Sequence, residues 1–234
     1  MKVRTEADAR QAAAAAAAHI AGRARQGVAT RRRFALGLSG GSSPLPMFDA
    51  LADSDVPWES VHLYQVDERQ VAADSTQRNF AAIRKRLVDR VTIPPGQVHP
   101  MPVERDDPQA AAAAYAETLA RTLGPGVVLD LVHLGLGADG HTASLLPGDP
   151  ALDEAADVIV SQPYRGARRL SLSPAVLSAA HERVWLVSGA DKREALARLL
   201  RGDPAIPAGR LERRRSIVFT NLSVSPDTAG VGPR

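Results

Sequence analysis

The sequence predicts an α/β protein in which helices flank a mostly parallel β-sheet. Apolar runs of strand length alternate along the chain with longer helical patterns, and this order is typical of parallel sheets covered on both faces. The 234 residues, 44% of them hydrophobic, are enough to bury a full core. No internal repeat or low-complexity linker divides the chain. We therefore expect one domain over residues 1–222 and a flexible tail over 223–234.

Five stretches carry helical patterns. The first, residues 5–25, is alanine-rich, with Thr5 as a candidate N-cap and Gly27 as a candidate end. The other four helices are predicted at residues 43–52, 77–88, 108–123 and 191–200.

Six short apolar runs predict strands. They are Phe34–Leu38, Val61–Val66, Val127–Leu134, Arg169–Ser173, Val184–Val187 and Ile217–Thr220. In open α/β sheets, ligands bind beside the carboxyl ends of the strands. The residues next to those ends are therefore the candidates for a functional site.

The composition argues against several classes of protein. There is no cysteine, which excludes disulfides and cysteine-based zinc sites. No apolar run approaches the roughly 18–20 residues of a membrane span, and the start MKVRTEADARQ has charges where a signal peptide needs an apolar core. The sequence predicts a cytoplasmic protein with no membrane partner.

The basic residues do not indicate nucleic-acid binding. Net charge is only +3, and the two arginine triplets, Arg31–Arg33 and Arg213–Arg215, each come just before a predicted strand. A nucleic-acid surface needs a continuous basic face, and stacking on aromatic side chains usually supports it. Aromatic residues make up only 4% of this chain. We interpret the triplets as solvated strand starts and predict no nucleic-acid partner.

A glycine-rich loop follows the first predicted strand. Gly40 and Gly41 would let the backbone approach a ligand, and Ser42 adds a hydroxyl beside the start of the next helix. This pattern suits a site for phosphate or sugar oxygens. It equally suits an ordinary turn with a serine cap.

Three consecutive charges, Asp67, Glu68 and Arg69, follow the second predicted strand. Charges at the mouth of a buried strand are costly unless a ligand or internal pairing compensates them. The sequence alone leaves both explanations open.

The segment from Gly135 to Gly140 matches the dinucleotide pattern G-x-G-x-x-G. That pattern should open a long helix and lead to an acidic residue closing the next strand. Here Pro147 interrupts the helix, and Asp157 precedes its strand. We therefore predict no dinucleotide cofactor.

His141 is the candidate catalytic base. It follows an acidic residue and a glycine at a strand end, and a histidine there can take a proton from water and return it. The other five histidines lie in predicted helices, strands or turns and are predicted to be structural or exposed. They are His19, His62, His99, His133 and His181.

Two cations are candidates for binding an anionic ligand. Lys192 lies in the first turn of a predicted helix, where the helix dipole disfavours a cation unless an anion lies between them. Arg169 begins a predicted strand and offers bidentate hydrogen bonding.

At these residues the chain resembles the 6-phosphogluconolactonase family. The matching segments appear in the family's order and span about residues 5–220. They are LGLSGGSSP (36–44), DERQV (67–71) with Asn79 downstream, LGLGADGHTASLLPG (134–148), RLSLSP (169–174) and VSGADKREAL (187–196). Arg78, Ala72 and the segment ERRRSIVFTN depart from the family's usual residues. The resemblance implies a modified Rossmann-like fold of the type shared by sugar-phosphate deaminases and ribose-phosphate isomerases.

The resemblance also implies a reaction, the hydrolysis of 6-phospho-D-glucono-1,5-lactone in the oxidative pentose phosphate route, without a cofactor or metal. His141 is expected to act as general base, Asp67 to orient His141 or the water, and Arg69 to offset the oxyanion. The expected substrate-binding residues are Gly40, Gly41, Ser42, Asn79, Arg169 and Lys192. Adventitious zinc on Asp67 and His141 stays an open alternative. We expect a monomer or weak homodimer.

Two other functions compete with this one. Glucosamine-6-phosphate deaminases share the fold and the glycine loops, but they carry an acid five residues after the histidine, where this chain has Leu146. A non-catalytic sugar-phosphate sensing domain would tolerate loss of the histidine and would normally be joined to a DNA-binding segment. The sequence has His141 and shows no helix-turn-helix pattern.

Overall fold

A computed structural model describes residues 1–72, 74–164 and 166–223. The predicted tail over 223–234 lies outside the described residues except for Ser223. The helices and strands of the described chain are, in order, β1 (Lys2–Thr5), α1 (Ala9–Arg31), β2 (Phe34–Leu38), α2 (Leu45–Ala52), β3 (Val61–Gln65), β4 (Asp67–Arg69), α3 (Asn79–Arg86), β5 (Val98–His99), α4 (Pro108–Leu123), β6 (Leu131–Leu134), β7 (Val158–Val160), β8 (Arg169–Leu172), α5 (Pro174–Ala179), β9 (Arg183–Val187), α6 (Arg193–Arg201) and β10 (Ser216–Thr220).

The strands form two sheets. Seven of them make a parallel sheet in the order β1-β10-β9-β6-β2-β3-β5. The other three make a small antiparallel sheet in the order β4-β8-β7. The predicted α/β class, with a mostly parallel sheet between helices, is confirmed.

Apolar residues on the two faces of the large sheet form two cores. On one face, Ile20 of α1 and Phe48 of α2 pack with Leu36 and Leu63 of the sheet. The buried side of α1 carries many alanines. Because an alanine side chain is only a methyl group, the helix can lie close to the elements it packs against. The second core lies on the opposite face and includes residues of α4, α5 and α6.

Val66 connects the two sheets. Its N–H donates to the Leu38 carbonyl of the parallel sheet at 3.0 Å, and its own carbonyl accepts from the Leu172 N–H of the antiparallel sheet at 2.8 Å. The chain therefore leaves the large sheet and enters the small one without a loop. Asp67, the next residue, lies at this junction.

The predicted ends of the first helix are wrong. Asp8, not Thr5, is the N-cap, and its carboxylate accepts from the Gln11 N–H at 2.8 Å. Thr5 belongs instead to β1, the edge strand beside β10. The helix continues past Gly27, which is buried against Phe34.

Two strand predictions also differ from the structure. Strand β6 begins only at Leu131, and Val127, its predicted start, has a left-handed backbone with φ of 41°. The predicted strand at Arg169 lies in the antiparallel sheet, so its first residue rather than its end approaches the candidate site. The remaining predicted elements agree with the structure to within two residues. In the described part of the chain, no helix is long and apolar enough to cross a membrane.

Gly27 and Gly22 give a matched test of packing in α1. A methyl group at Gly27 would lie 2.5 Å from Cδ2 of Phe34, whereas at Gly22 it would meet only the end of Arg25 at 4.0 Å. We expect Gly27→Ala to lower the free energy of unfolding by about 1–2 kcal/mol despite better helix propensity. Gly22→Ala should raise it by up to ~1 kcal/mol. Urea unfolding of both variants measures the difference, and equal effects would contradict the packing argument.

Candidate active site

A cleft of about 260 Å³ opens at the carboxyl edge of the large sheet. All nine residues that the sequence singled out line it, namely Gly40, Gly41, Ser42, Asp67, Arg69, Asn79, His141, Arg169 and Lys192. They come together because the carboxyl ends of parallel strands meet at one edge. The small sheet adds Asp67, Arg69 and Arg169. Their chemical roles stay predictions.

The glycine loop after β2 lies close against the start of α3. A Cβ atom on Gly40 would be 2.3 Å from Cγ of Asn79, so any side chain there would displace the asparagine. Gly41 has a φ of 105°, which L-residues with a side chain rarely adopt. Both glycines are thus required by local geometry, and the loop backbone stays open to the cleft.

Glu68 is a buried carboxylate that fixes the start of α3. It accepts hydrogen bonds from the N–H groups of Asn79 (2.7 Å), Phe80 (2.8 Å) and Arg69 (2.8 Å), and from Nε2 of Gln65 (2.9 Å). Burial raises its pKa, and these hydrogen bonds oppose the rise. Glu68 therefore holds Arg69 and Asn79 in the cleft without lining it.

Arg78, which departs from the family's usual serine, supplies a counter-charge for Glu68. Its side chain is nearly buried, with Nε 3.8 Å from Oε2 of Glu68 and Nη2 3.5 Å from Oε2 of Glu104. Arg78 thus places a positive charge behind the cleft, beside Glu68, whose hydrogen-bond donors are otherwise neutral groups. The sequence presents Glu68 only as one of three consecutive charges and carries no signal of this pairing.

Asp67 is buried at the junction of the two sheets, with a small exposed fraction that faces the cleft. Its Oδ2 accepts from the Ser144 hydroxyl at 2.7 Å, and its carbonyl accepts from Nδ2 of Asn79 at 3.1 Å. Burial raises the pKa of Asp67, while the Ser144 hydrogen bond and the positive charges of Arg169 and Arg69 oppose the rise.

His141 is paired with Asp139, not with Asp67. The Nδ1 atom of His141 lies 2.5 Å from Oδ1 of Asp139, and the same oxygen accepts the His141 backbone N–H at 3.1 Å. Burial acts to raise the pKa of Asp139, but the hydrogen bonds and charge of His141 outweigh it and hold that pKa below its usual value. Among the described residues, Asp67 makes no hydrogen bond to this imidazole. Asp139, which lies two residues before His141 in the sequence, therefore replaces Asp67 as the residue that orients His141.

The loop carrying His141 has no room for side chains at two points. The Gly137 N–H donates to the His141 carbonyl at 2.8 Å, and a Cβ atom on Gly137 would be 2.1 Å from Nδ1 of His141. Gly140 has a φ of 84° and packs on Ile206. Residues 135–149 contain no helix, so the G-x-G-x-x-G segment lacks the helix N-terminus that binds a dinucleotide. Its glycines instead position the histidine.

Three cations reach the cleft from different elements. Arg69 of β4 pairs in register with Arg169 of β8, and Nη1 of Arg69 donates to the Gln77 carbonyl at 2.6 Å. Lys192 lies in a short turn just before α6, where its Nζ is 3.1 Å from Oδ2 of Asp191. The lysine is thus at the N-cap of α6 rather than inside its first turn.

The electrostatics of the cleft favour an anionic ligand. Of the described residues that line it, two arginines and one lysine are positive, and the single carboxylate is Asp67. A cleft with one dominant sign of charge raises the local concentration of an oppositely charged substrate.

His133 lies under the cleft and is fully buried in β6. Burial lowers its pKa to about 3, so the ring is neutral near pH 7. This agrees with the structural role predicted for it. Within the described residues, no group of three or more histidine and carboxylate side chains is placed to hold a metal.

The fold and the cleft together define an α/β enzyme with a histidine–aspartate pair in a cationic site at the carboxyl edge of a parallel sheet. Comparison with known proteins gives its family. The family described as Glucosamine-6-phosphate isomerases/6-phosphogluconolactonase matches residues 7–219. The chain belongs to this family.

Within this family, the individual relatives described next are lactonases rather than deaminases. A 6-phosphogluconolactonase of Synechocystis sp. is 38% identical over 176 residues, which are 74% of this chain and 73% of the relative. One of Mycobacterium leprae is 36% identical over 216 residues, covering 86% and 87%. The resemblance drawn from the motifs is confirmed.

Solved structures agree with the fold. A 6-phosphogluconolactonase from Thermotoga maritima superposes with a TM-score of 0.84 at 26% identity, covering 94% of this chain and 98% of that one. A monomeric glucosamine-6-phosphate deaminase superposes with a TM-score of 0.81 at 19% identity. The deaminase likeness therefore concerns the fold alone.

The buried charge of Asp67 predicts a stability cost. Because burial raises its folded-state pKa, the folded protein binds a proton there more readily than the unfolded chain, so ionised Asp67 lowers stability at neutral pH. Asp67→Asn should raise the free energy of unfolding at pH 7, by about 0.5–2 kcal/mol as is common for stabilising substitutions. The gain should shrink as the pH falls through the folded-state pKa. Urea unfolding from pH 7 to pH 4 measures it, and a gain independent of pH would contradict the explanation.

Proposed function

We propose that the chain hydrolyses 6-phospho-D-glucono-1,5-lactone to 6-phospho-D-gluconate, a step of the oxidative pentose phosphate pathway. This substrate is supported by the relatives of the chain that are 6-phosphogluconolactonases. The observation that carries the proposal is the pair of Asp139 and His141 in a cleft that also holds Arg69, Arg169 and Lys192.

In the proposed mechanism, His141 acts as the general base. Its Nδ1–H donates to Asp139, which leaves Nε2 with the free electron pair that accepts a proton from water. The water oxygen bonds to the lactone carbonyl carbon, and the bond from that carbon to the ring oxygen then breaks. The proton held on Nε2 passes to the departing ring oxygen. Asp139 stays ionised and stabilises the imidazolium formed between the two transfers.

The other cleft residues bind the substrate in this proposal. Arg69 and the N–H groups of Gly40 and Gly41 stabilise the negative charge that develops on the carbonyl oxygen. Arg169 and Lys192 bind phosphate and sugar oxygens. Ser42 and Asn79 contribute hydrogen bonds to the same ligand. Asp67, which makes no hydrogen bond to His141 among the described residues, orients the attacking water.

A deaminase activity is the second candidate, because the fold is shared. In deaminases the residue five positions after the histidine is an acid that assists ring opening. Leu146 occupies that position and is 7% exposed. It has no proton to give or accept, which favours water attack. A sensing domain without activity would not need the Asp139–His141 pair.

An assay of purified protein tests the proposal directly. Lactone generated in place is followed through its product, using 6-phosphogluconate dehydrogenase to reduce NADP. Glucosamine 6-phosphate serves as the competing substrate. Hydrolysis of the lactone well above its spontaneous rate, with no ammonia from the amino sugar, supports the lactonase. Ammonia release, or neither activity, would overturn it.

Loss of the base should lower turnover with little change in substrate binding. His141→Ala should reduce kcat about 10²–10⁴-fold, the range typical of a lost general base. Asp139→Asn should also reduce kcat, because an amide does not hold the tautomer or the imidazolium as a carboxylate does. His181→Ala, at an exposed histidine outside the cleft, is the control. An unchanged kcat in His141→Ala would remove this residue from the mechanism.

Lys192 should affect binding rather than turnover. If its ammonium binds the substrate phosphate, Lys192→Ala loses a charged hydrogen bond, and KM should rise about 10- to 100-fold with kcat nearly unchanged. Lys85→Ala is the control, since that exposed lysine of α3 does not line the cleft. A fall in kcat at constant KM would argue against a phosphate contact.

A cytoplasmic location, a monomeric or weakly dimeric state, and activity without metal or cofactor complete the proposal. They stay predictions from the sequence.

A further inference from the structure

Between β7 and β8, a turn closed by Tyr164 and Ala167 brings an aromatic residue against two residues that line the cleft. The Tyr164 N–H donates to the Ala167 carbonyl at 2.9 Å, and the Ala167 N–H donates back to the Tyr164 carbonyl at 3.4 Å. Gly166, inside this turn, has a φ of 84°, where glycine is favoured. The turn therefore fixes the backbone of Tyr164 just ahead of β8, which begins with Arg169.

The ring of Tyr164 contacts two residues of the proposed active site. The Cζ atom of Arg169 lies over it at 5.0 Å from the ring centroid. The imidazole of His141 is tilted against it by 60°, with 5.8 Å between centroids. One side chain therefore bridges the proposed base and a proposed substrate-binding cation.

We propose that Tyr164 is a positioning residue, whose ring holds Arg169 in place and restricts His141 to the orientation in which it pairs with Asp139. This inference rests on the proposed function for its kinetic consequences. It adds a residue that none of the sequence motifs contains.

The first half of the proposal concerns Arg169. A guanidinium within about 6 Å of a ring centroid is attracted to the negative face of the ring, more strongly where water is excluded. Arg169 is 7% exposed, and its backbone carbonyl accepts the Ser161 N–H at 2.8 Å. An arginine held this way loses less freedom when a ligand binds, so removing the ring should weaken ligand binding.

The second half concerns His141. Asp139 holds one edge of the imidazole through Nδ1, but this hydrogen bond by itself leaves the ring able to turn about its bond to Cβ. The tyrosine ring packs on the imidazole from another side and restricts that rotation. Without it, the ring should leave Asp139 more often, and Nε2 should be protonated more often in the neutral form. A misplaced catalytic group lowers kcat even when it is still present.

Three variants distinguish the effect of the aromatic ring from the effects of the hydroxyl group and of side-chain volume. Tyr164→Phe keeps the ring and is the matched control. Tyr164→Leu removes the ring, and Tyr164→Met is a second apolar replacement should leucine disturb the turn. Circular dichroism and thermal unfolding check that each variant is folded. We expect Tyr164→Phe to stay within about twofold of the parent protein, because the contacts with Arg169 and His141 both use the ring. In the apolar variants KM should rise roughly 2- to 30-fold, the range of a cation–π contact, and kcat should fall.

A measurement that does not use the reaction distinguishes this inference from the proposed function. Ring ¹⁵N resonances of His141 report which nitrogen carries the proton. In the parent protein and Tyr164→Phe, the neutral form should be protonated at Nδ1. In the apolar variants, the population protonated at Nε2 should increase. Binding of 6-phosphogluconate, measured by calorimetry, should weaken in parallel with KM.

The outcomes are distinct. If the folded apolar variants keep the parent protein's KM, kcat and His141 tautomer, the proposal is wrong. If Tyr164→Phe loses as much as Tyr164→Leu, the hydroxyl rather than the ring is responsible, and the proposal is equally wrong. If the parent protein hydrolyses no lactone but the tautomer shifts only in the apolar variants, the proposed function fails while the positioning of His141 by Tyr164 stands.

Discussion

The carboxylate of Glu68 accepts four hydrogen bonds while it is shielded from water. Three of the donors are backbone N–H groups, so the bonds fix chain geometry and not only side chains. Through them, the small sheet and the start of α3 become one rigid unit, and Arg69 and Asn79 keep fixed positions at the cleft. A buried carboxylate is costly unless every lone pair finds a donor. Arg78 adds the counter-charge that neutral donors lack.

Two features of the cleft lower the stability of the folded protein. Asp67 is an ionisable group buried beside Ser144, and burial raises its pKa. Arg69 and Arg169, which are neighbours in register, place two positive charges side by side. The surrounding structure holds these charged groups in place. Such arrangements are typical of sites that bind charged ligands. The packing of the two sheets offsets this cost, and the residues of the cleft come both from the small sheet and from the loops at the strand ends.

Much of the fold and site could be predicted because both follow from local pattern and one topological rule. Apolar runs fixed the main strands, and the carboxyl ends of parallel strands must share an edge. That rule by itself places His141, Lys192 and the glycine loop at one edge of the sheet. The ends of α1 could not be predicted, because Gly27 is compatible with both a helix end and close packing on Phe34. Only the packing decides between them.

The sequence by itself determined the α/β class, the family and the residues that line the cleft, because these depend on periodicity and on motifs of neighbouring residues. The tertiary structure decided which of those residues touch. It paired His141 with Asp139 instead of Asp67, made Glu68 a structural anchor, and brought Tyr164 against the imidazole. It also placed Arg169 in a separate antiparallel sheet. These contacts join segments far apart in the chain or depend on side-chain direction, and a one-dimensional pattern contains neither distance nor direction.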